Sequence, residues 1–231
     1  HNSVLRPLRL LEKERGISVT RLGESQDGFV DPDDVAAALG KKTTMVVISH
    51  ASNVVGTVAP LATVGKLVRE HGALFCVDAA QSAGSEPIDM EECKIDLLAF
   101  TGHKSLMGPQ GTGGLCIGNR AVGRIAPVMA GGTGSASDSD EQPEFLPDAL
   151  EPGTPNVVGI AGLAAGLDFI RSKGLETIRA REQHLTGRLL DGLAALPGLR
   201  LYGKSGVGGR LSVVSFNLAG RSCAEVGEFL E

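Results

Sequence analysis

FCVDAAQSAGSEPIDMEECKIDLLAFTGHKSLMGPQGTGG, residues 75–114, decides the fold class. Two apolar runs, 74–77 and 97–100, are short, continuous and bounded by polar residues or glycine, the pattern of buried strands. The first runs into Asp78 and Gln81, the second into Thr101, His103 and Lys104. In parallel α/β sheets, ligands sit just beyond the carboxyl ends of the strands. Asp78 and Lys104 are therefore expected to face one ligand from neighbouring strand ends. An isolated lysine is ordinarily a solvated surface charge. Lys104 instead follows a Thr-Gly-His turn and precedes a glycine-rich segment. There it is expected to lose solvation and with it a proton, as Schiff-base chemistry requires.

Outward from this stretch, helix and strand signals alternate. Residues 4–15 read as a helix capped by Asn2 or Ser3, with Pro7 near its first turn. Residues 17–22 read as a strand. Asp31-Pro32 opens a helix through Leu39, with Asp31 as cap and Pro32 at the first helical position. Residues 45–49 read as a buried strand, followed by the loop His50-Ala51-Ser52-Asn53. Residues 60–71 form an amphipathic helix with Leu61, Val64, Leu67 and Val68 on one face, ended by Gly72. A further strand covers 114–117. Helices between near-continuously apolar strands indicate an α/β fold, a mostly parallel sheet with helices on both faces.

Residues 125–155 break the pattern with a long loop centred on GGTGSASDSDEQPEF; loops of this length in compact domains are usually functional or mobile. Helices at 160–172 and 175–196, strands at 199–202 and 211–216, and a final amphipathic helix from Cys223 complete the chain. The expected organisation is a large domain, 1–174, then a connecting helix and the beginning of a smaller α/β domain, 175–231. The chain starts His1-Asn2-Ser3 rather than with Met and stops within a helical pattern, so it reads as an internal fragment of a longer protein.

Composition narrows the function classes. Hydrophobic residues make up 42% of 231, enough for a sizeable core. The formal net charge of −5 and the absence of a long basic run disfavour nucleic acid and anionic membranes as partners. No apolar run reaches the ~18–20 residues of a membrane span, and no signal-peptide pattern opens the chain. Cys76, Cys93, Cys116 and Cys223 show no CxxC spacing, which fits a reducing, cytoplasmic setting. The histidines form no HxxxH or similar pair, so no metal site is expected. The 32 glycines are about twice the average share and cluster around Lys104 and at 131–134, indicating tight turns and close backbone approach.

Asp78–Gln81 (DAAQ), Thr101–Lys104 (TGHK) and Ser49–Thr57 (SHASNVVGT) together resemble the class V aminotransferase family, pyridoxal-phosphate enzymes of fold type I. The branch they resemble most is that of the cysteine desulfurases and selenocysteine lyases. His1-Asn2-Ser3, Gly131–Ser135 (GGTGS) and Gly153–Asn156 (GTPN) fit the same branch, with the motifs in the family's order over nearly the whole chain. The resemblance implies that Lys104 forms the Schiff base with pyridoxal phosphate and moves the substrate's α proton. It implies that Asp78 pairs with the pyridine nitrogen, and that Asn53 and Gln81 donate to the ring's phenolic oxygen. His1 would stack on the ring and assist proton transfer. Thr101 and His103 would contact the phosphate, and Thr133 the phosphate of a partner subunit in a homodimer.

The implied reaction converts L-cysteine to L-alanine, leaving sulfur as an enzyme persulfide for a possible acceptor protein. The family's upstream phosphate loop, its catalytic cysteine and its carboxylate-binding arginine are expected outside residues 1–231. The fragment is therefore expected to be inactive, and to aggregate or bind cofactor weakly, on its own. Cys223, at a helix start, does not match the catalytic cysteine. A transaminase, an epimerase, a selenocysteine lyase or a non-catalytic remnant of the same fold remain alternatives. A nucleotide-binding α/β module is disfavoured, because no GxGxxG or GxxxxGK[ST] follows a strand.

Overall fold

The architecture follows from three short apolar strands that bury one face under a pair of helices. The structure is a computed structural model that describes every residue except 24 and 26. A four-stranded sheet has the order β1 (Met45–Ser49), β2 (Leu74–Asp78), β3 (Leu97–Thr101) and β4 (Gly113–Ile117). β1, β2 and β3 are parallel, and β4 returns antiparallel beside β3. The strands match the expected runs closely because each is a five-residue apolar segment punctuated by polar residues or glycine.

One face of the sheet carries Phe75 and Val77, both fully buried, together with Ile48. Against it pack α2 (Pro32–Ala38) and α3 (Leu61–His71), through Val35, Leu61, Val64 and Val68. Each fully buried side chain of this size contributes about 2 kcal/mol. Asp31 caps α2 by accepting from the Asp33 N–H, and Gly72, at φ 91°, ends α3, as the sequence predicts. On the opposite face Leu74 and Leu97 meet Ala121. Met45 and Leu115 remain 40% and 45% exposed. The helical cover expected on both faces is thus extensive on one and sparse on the other.

The remaining helices are α1 (Asn2–Arg15), α4 (Val157–Lys173), α5 (Leu175–Ala194) and α6 (Cys223–Leu230). A second sheet pairs β5 (Leu199–Tyr202) antiparallel with β6 (Ser215–Leu218). Its neighbouring segment is stitched to the loop after β1: Arg210 is 3% exposed, forms a bridge with Thr57 and donates to the carbonyls of Val55 and Val213. No helix among the described residues is long and apolar enough to cross a membrane.

Three local expectations are corrected. Residues 17–22 form no strand, since no partner ladder forms along them. The strand expected at 211–216 is displaced to Ser215–Leu218, because Leu211 N–H donates to Gly56 O and binds that segment to the β1 loop instead. The cap of α1 is His1, whose Nδ1 lies 3.1 Å from the Ser3 backbone nitrogen, rather than Asn2 or Ser3.

A buried carboxylate fixes the β2–β3 register from the amino end. Asp96, 2% exposed, accepts from the Phe75 N–H at 2.9 Å, while its own N–H donates to Phe75 O at 2.9 Å. Arg69 and Arg120 reach the same carboxylate at 3.2 and 3.0 Å, and Arg120 also donates to the carbonyls of Gly72 and Ala73. Removing one member of such a group strands the others without their partner. Asp96→Ala is expected to lower unfolding free energy in urea by about 3 kcal/mol, and Arg69→Ala by clearly less. Equal, small losses would show that Asp96 does not organise this corner.

Candidate functional site

The parallel register carries three strand ends to one edge. Ser49 pairs with Asp78, and Asp78 with Ala99, so the segments after β1, β2 and β3 emerge side by side. Asp78 lies at the end of β2, half-buried. Its Oδ1 accepts from the Ala80 N–H at 3.0 Å and its Oδ2 from the Ser3 hydroxyl at 3.3 Å. Gln81 follows on the same turn. Asn53 is exposed on the turn after β1. Neither amide has a hydrogen-bond partner among the described residues, so both are available to a ligand.

Beyond β3, the Thr101 hydroxyl and His103 Nδ1 are 2.8 Å apart. Lys104 follows on a turn closed by the Met107 N–H donating to Lys104 O at 2.9 Å. The Lys104 side chain is exposed and makes no ion pair among the described residues. The desolvation expected from its sequence context is thus not supplied by the fold of this chain. What the fold supplies is a lysine held on a rigid turn beside the Asp78 turn.

The two turns touch through a glycine. Gly84 has φ +93°, and a Cβ there would lie 2.5 Å from Ser105 O. α4 backs the lysine turn in the same way: a Cβ on Gly166 would come within 2.5 Å of Leu106 O, and one on Gly162 within 3.0 Å of Pro109. The small residues at 159, 162 and 166 share one helical face, a spacing visible in the sequence but not recognised there as support for Lys104. Gly84→Ala is expected to lower stability by more than about 1 kcal/mol. The control Gly111→Ala shares a positive φ (+75°) but has open space around it, and is expected to cost less. Equal losses at both positions would mean that backbone strain, not turn contact, sets the cost.

His1 and Thr133 occupy different surroundings. His1 caps α1, and the Ser3 hydroxyl lies 2.7 Å from its Nδ1, linking it indirectly to Asp78. Thr133 sits in the long loop, its hydroxyl 3.0 Å from that of Ser135. None of its hydrogen bonds among the described residues reaches the Asp78–Lys104 edge. Of the remaining cysteines, Cys76 is on β2, where burial and then the Asp78 charge push its thiol up; burial does the same at Cys93. Cys223 is exposed at the start of α6, 3.4 Å from the Asn217 amide.

The sequence pattern places His50 in the loop after β1 but assigns it no role at this edge. It is 5% exposed, its N–H donates to Asp78 O at 2.9 Å, and its Nδ1 lies 2.8 Å from the Ser82 hydroxyl. The partners are 32 positions apart, so only the fold reveals the pair. Burial lowers the His50 pKa from 6.5 to about 4, which keeps the ring neutral in the folded chain. The unfolded chain takes up this proton near its ordinary value, the folded chain only near pH 4. Stability is therefore expected to fall as pH drops from about 6.5 to 4, by up to about 3 kcal/mol. Urea unfolding across that range should show a shallower decline in His50→Gln; an unchanged slope would exclude His50 as its source.

The fold and this edge together define an α/β protein with a lysine and a carboxylate presented from adjacent strand ends, flanked by a hydroxyl–imidazole pair and two free amides. The chain belongs to the aminotransferase class-V family, whose pattern matches residues 1–231. It is 36% identical over 221 residues to a probable cysteine desulfurase of Pyrococcus abyssi, covering 94% of this chain and 54% of that protein. It is 35% identical to a cysteine desulfurase of Escherichia coli O127:H6, covering 100% of this chain and 57% of that protein. The apo structure of a cysteine desulfurase from Thermococcus onnurineus NA1 superposes with a TM-score of 0.91 at 34% identity, over 100% of this chain and 57% of that one. The chain thus spans a little over half the length of these relatives.

Members of the family are pyridoxal-phosphate enzymes, and the donor set fits that group. A carboxylate suits a protonated ring nitrogen, an exposed amine the aldehyde, and the hydroxyl, imidazole and amides the phosphate and phenolic oxygens. The crowded glycine at 84 sets the Asp78 turn directly against the Lys104 turn.

Proposed function

We propose that this chain is the cofactor-holding part of a pyridoxal-phosphate-dependent cysteine desulfurase, converting L-cysteine to L-alanine with sulfur passed to an enzyme persulfide. The observation that carries the reading is the contact of the Asp78–Gly84 turn with the Lys104–Leu106 turn at the end of a parallel sheet. The resemblance to cysteine desulfurases over the whole chain supports the choice of reaction.

When bound, the cofactor supplies an electron sink for the bond-breaking at the substrate α carbon. In this reading Lys104 anchors it and then moves the α proton through its amine. Asp78 holds a positive charge at the ring nitrogen, oriented by the Ala80 N–H. Asn53 and Gln81 donate to the phenolic oxygen, Thr101 and His103 hold the phosphate, and His1 covers the ring face. Thr133 serves the equivalent site of a second subunit in a homodimer, in keeping with its separation from this chain's own edge. Residues 175–231 form the start of a smaller second domain, docked on the Asn53 loop through Arg210.

The thiolate that accepts sulfur lies, in this proposal, outside residues 1–231, as does the arginine that grips the substrate carboxylate. Cys76 and Cys93 are poor thiolates because burial raises both, Cys116 is exposed but fixed within β4 opposite Leu98, and Cys223 belongs to the second sheet's side of the molecule. Free thiols of this kind suit a reducing, cytoplasmic setting, with a sulfur-acceptor protein as partner.

The test is product analysis with L-cysteine on the complete polypeptide. Alanine and persulfide sulfur, released as sulfide by an added thiol reductant, are expected in equal amounts. Lys104→Ala is expected to lower the rate by at least about 10²-fold, and Asp78→Asn by a comparable factor. A keto acid in place of alanine would reassign the reaction to a transaminase. Full activity of Lys104→Ala would reject the site itself.

A further inference from the structure

α1 is a helix without an anchor in the core. It buries none of its residues, although Leu5, Leu10 and Leu11 lie along it. Glu12 pairs, among the described residues, with Arg9 of the same helix and with Arg21 in the following segment. Among the described residues, one side-chain hydrogen bond joins α1 to the sheet, from the Ser3 hydroxyl to Asp78 Oδ2 at 3.3 Å. The same hydroxyl lies 2.7 Å from His1 Nδ1.

We propose that Ser3 is a positioning residue, whose hydroxyl ties α1, and His1 with it, to the Asp78 carboxylate. The hydroxyl has one proton, so it donates to the carboxylate in the tautomer where His1 carries its own proton on Nδ1 and donates to the Ser3 oxygen. Asp78 is thereby held on both oxygens, by the Ala80 N–H on one and by Ser3 on the other. A carboxylate fixed on both oxygens keeps its plane. The side chain that orients Asp78 is thus the one that places His1 at the same edge. The use of this coupling, aligning a ring nitrogen partner with a residue over the ring, rests on the pyridoxal-phosphate reading above; the coupling itself does not.

Two measurements on the full chain separate these levels. In the cofactor-free protein, amide exchange of residues 4–11 reports how firmly α1 is held. Ser3→Ala is expected to speed it about fivefold, the equivalent of one ordinary hydrogen bond. In an Asp78→Ala background the same change is expected to do nothing further, and Ser3→Thr is expected to restore slow exchange. Additive effects of Ser3→Ala and Asp78→Ala would overturn the proposal. If Asp78→Ala fails to fold, Asp78→Asn, which retains a weaker acceptor, should show a reduced Ser3→Ala effect; an undiminished effect would overturn it equally.

The second measurement is titration with pyridoxal phosphate against titration with inorganic phosphate. Ser3→Ala is expected to weaken pyridoxal phosphate about fivefold and to leave phosphate unchanged, since Ser3 addresses the ring side only. A loss of both together would assign Ser3 a general structural role. Failure of every variant and the unaltered chain to take up pyridoxal phosphate would reject the cofactor reading, while the exchange measurement would still decide the role of Ser3.

Discussion

The buried carboxylate of Asp96 is the constraint on which the site's geometry depends. It accepts the Phe75 N–H where β2 begins, and its own N–H closes the reciprocal bond to Phe75 O. Two arginines neutralise it, and Arg120 extends the clamp to the carbonyls preceding β2. Burying a charge is costly unless it is paired and hydrogen-bonded, so this arrangement tolerates one alignment of β2 and β3 and penalises others. Three residues after Phe75 and five after Asp96, that alignment decides where Asp78 and Thr101 emerge. A slip of one residue would turn Asp78 to the opposite face.

At the carboxyl edge, absence of side chains does what charge does at the amino end. Gly84 lets the Asp78 turn rest on the Lys104 turn, and Gly162 and Gly166 let α4 rest on the far side of the same turn. Lys104 is held by main-chain contact on both sides while its own side chain stays exposed. The buried His50, neutral and paired with Ser82, steadies the Asp78–Ser82 turn from β1. The edge is thus assembled from backbone packing, with few of its polar side chains spent on each other. Asn53, Gln81 and Lys104 remain free for a ligand.

Much of this was legible in the sequence where a local rule applied. The strands at 74–78 and 97–101 are short apolar runs with polar ends, and period and punctuation suffice to find them. α2 and α3 announce their caps. Residues 17–22 begin with alternating apolar and polar side chains but have no neighbour to complete a ladder, and strand formation needs one. The shift of the last strand to Ser215 has the same kind of origin, since the backbone of Leu211 is bound to Gly56. His50–Ser82, Ser3–Asp78 and the Asp96 cluster join residues far apart in the chain, and no periodic pattern encodes such pairs. The motifs DAAQ and TGHK identified the family, but only the fold shows that Lys104 is exposed here.

The central claim is that Lys104 is the residue to which the cofactor is attached, beside Asp78. Its most direct test is incubation of the chain with pyridoxal phosphate, reduction with borohydride, and peptide mapping of the pyridoxyl group. The account predicts a single labelled peptide containing Lys104, with labelling diminished in Asp78→Asn. Labelling of a different lysine, or equal labelling of several, would contradict it.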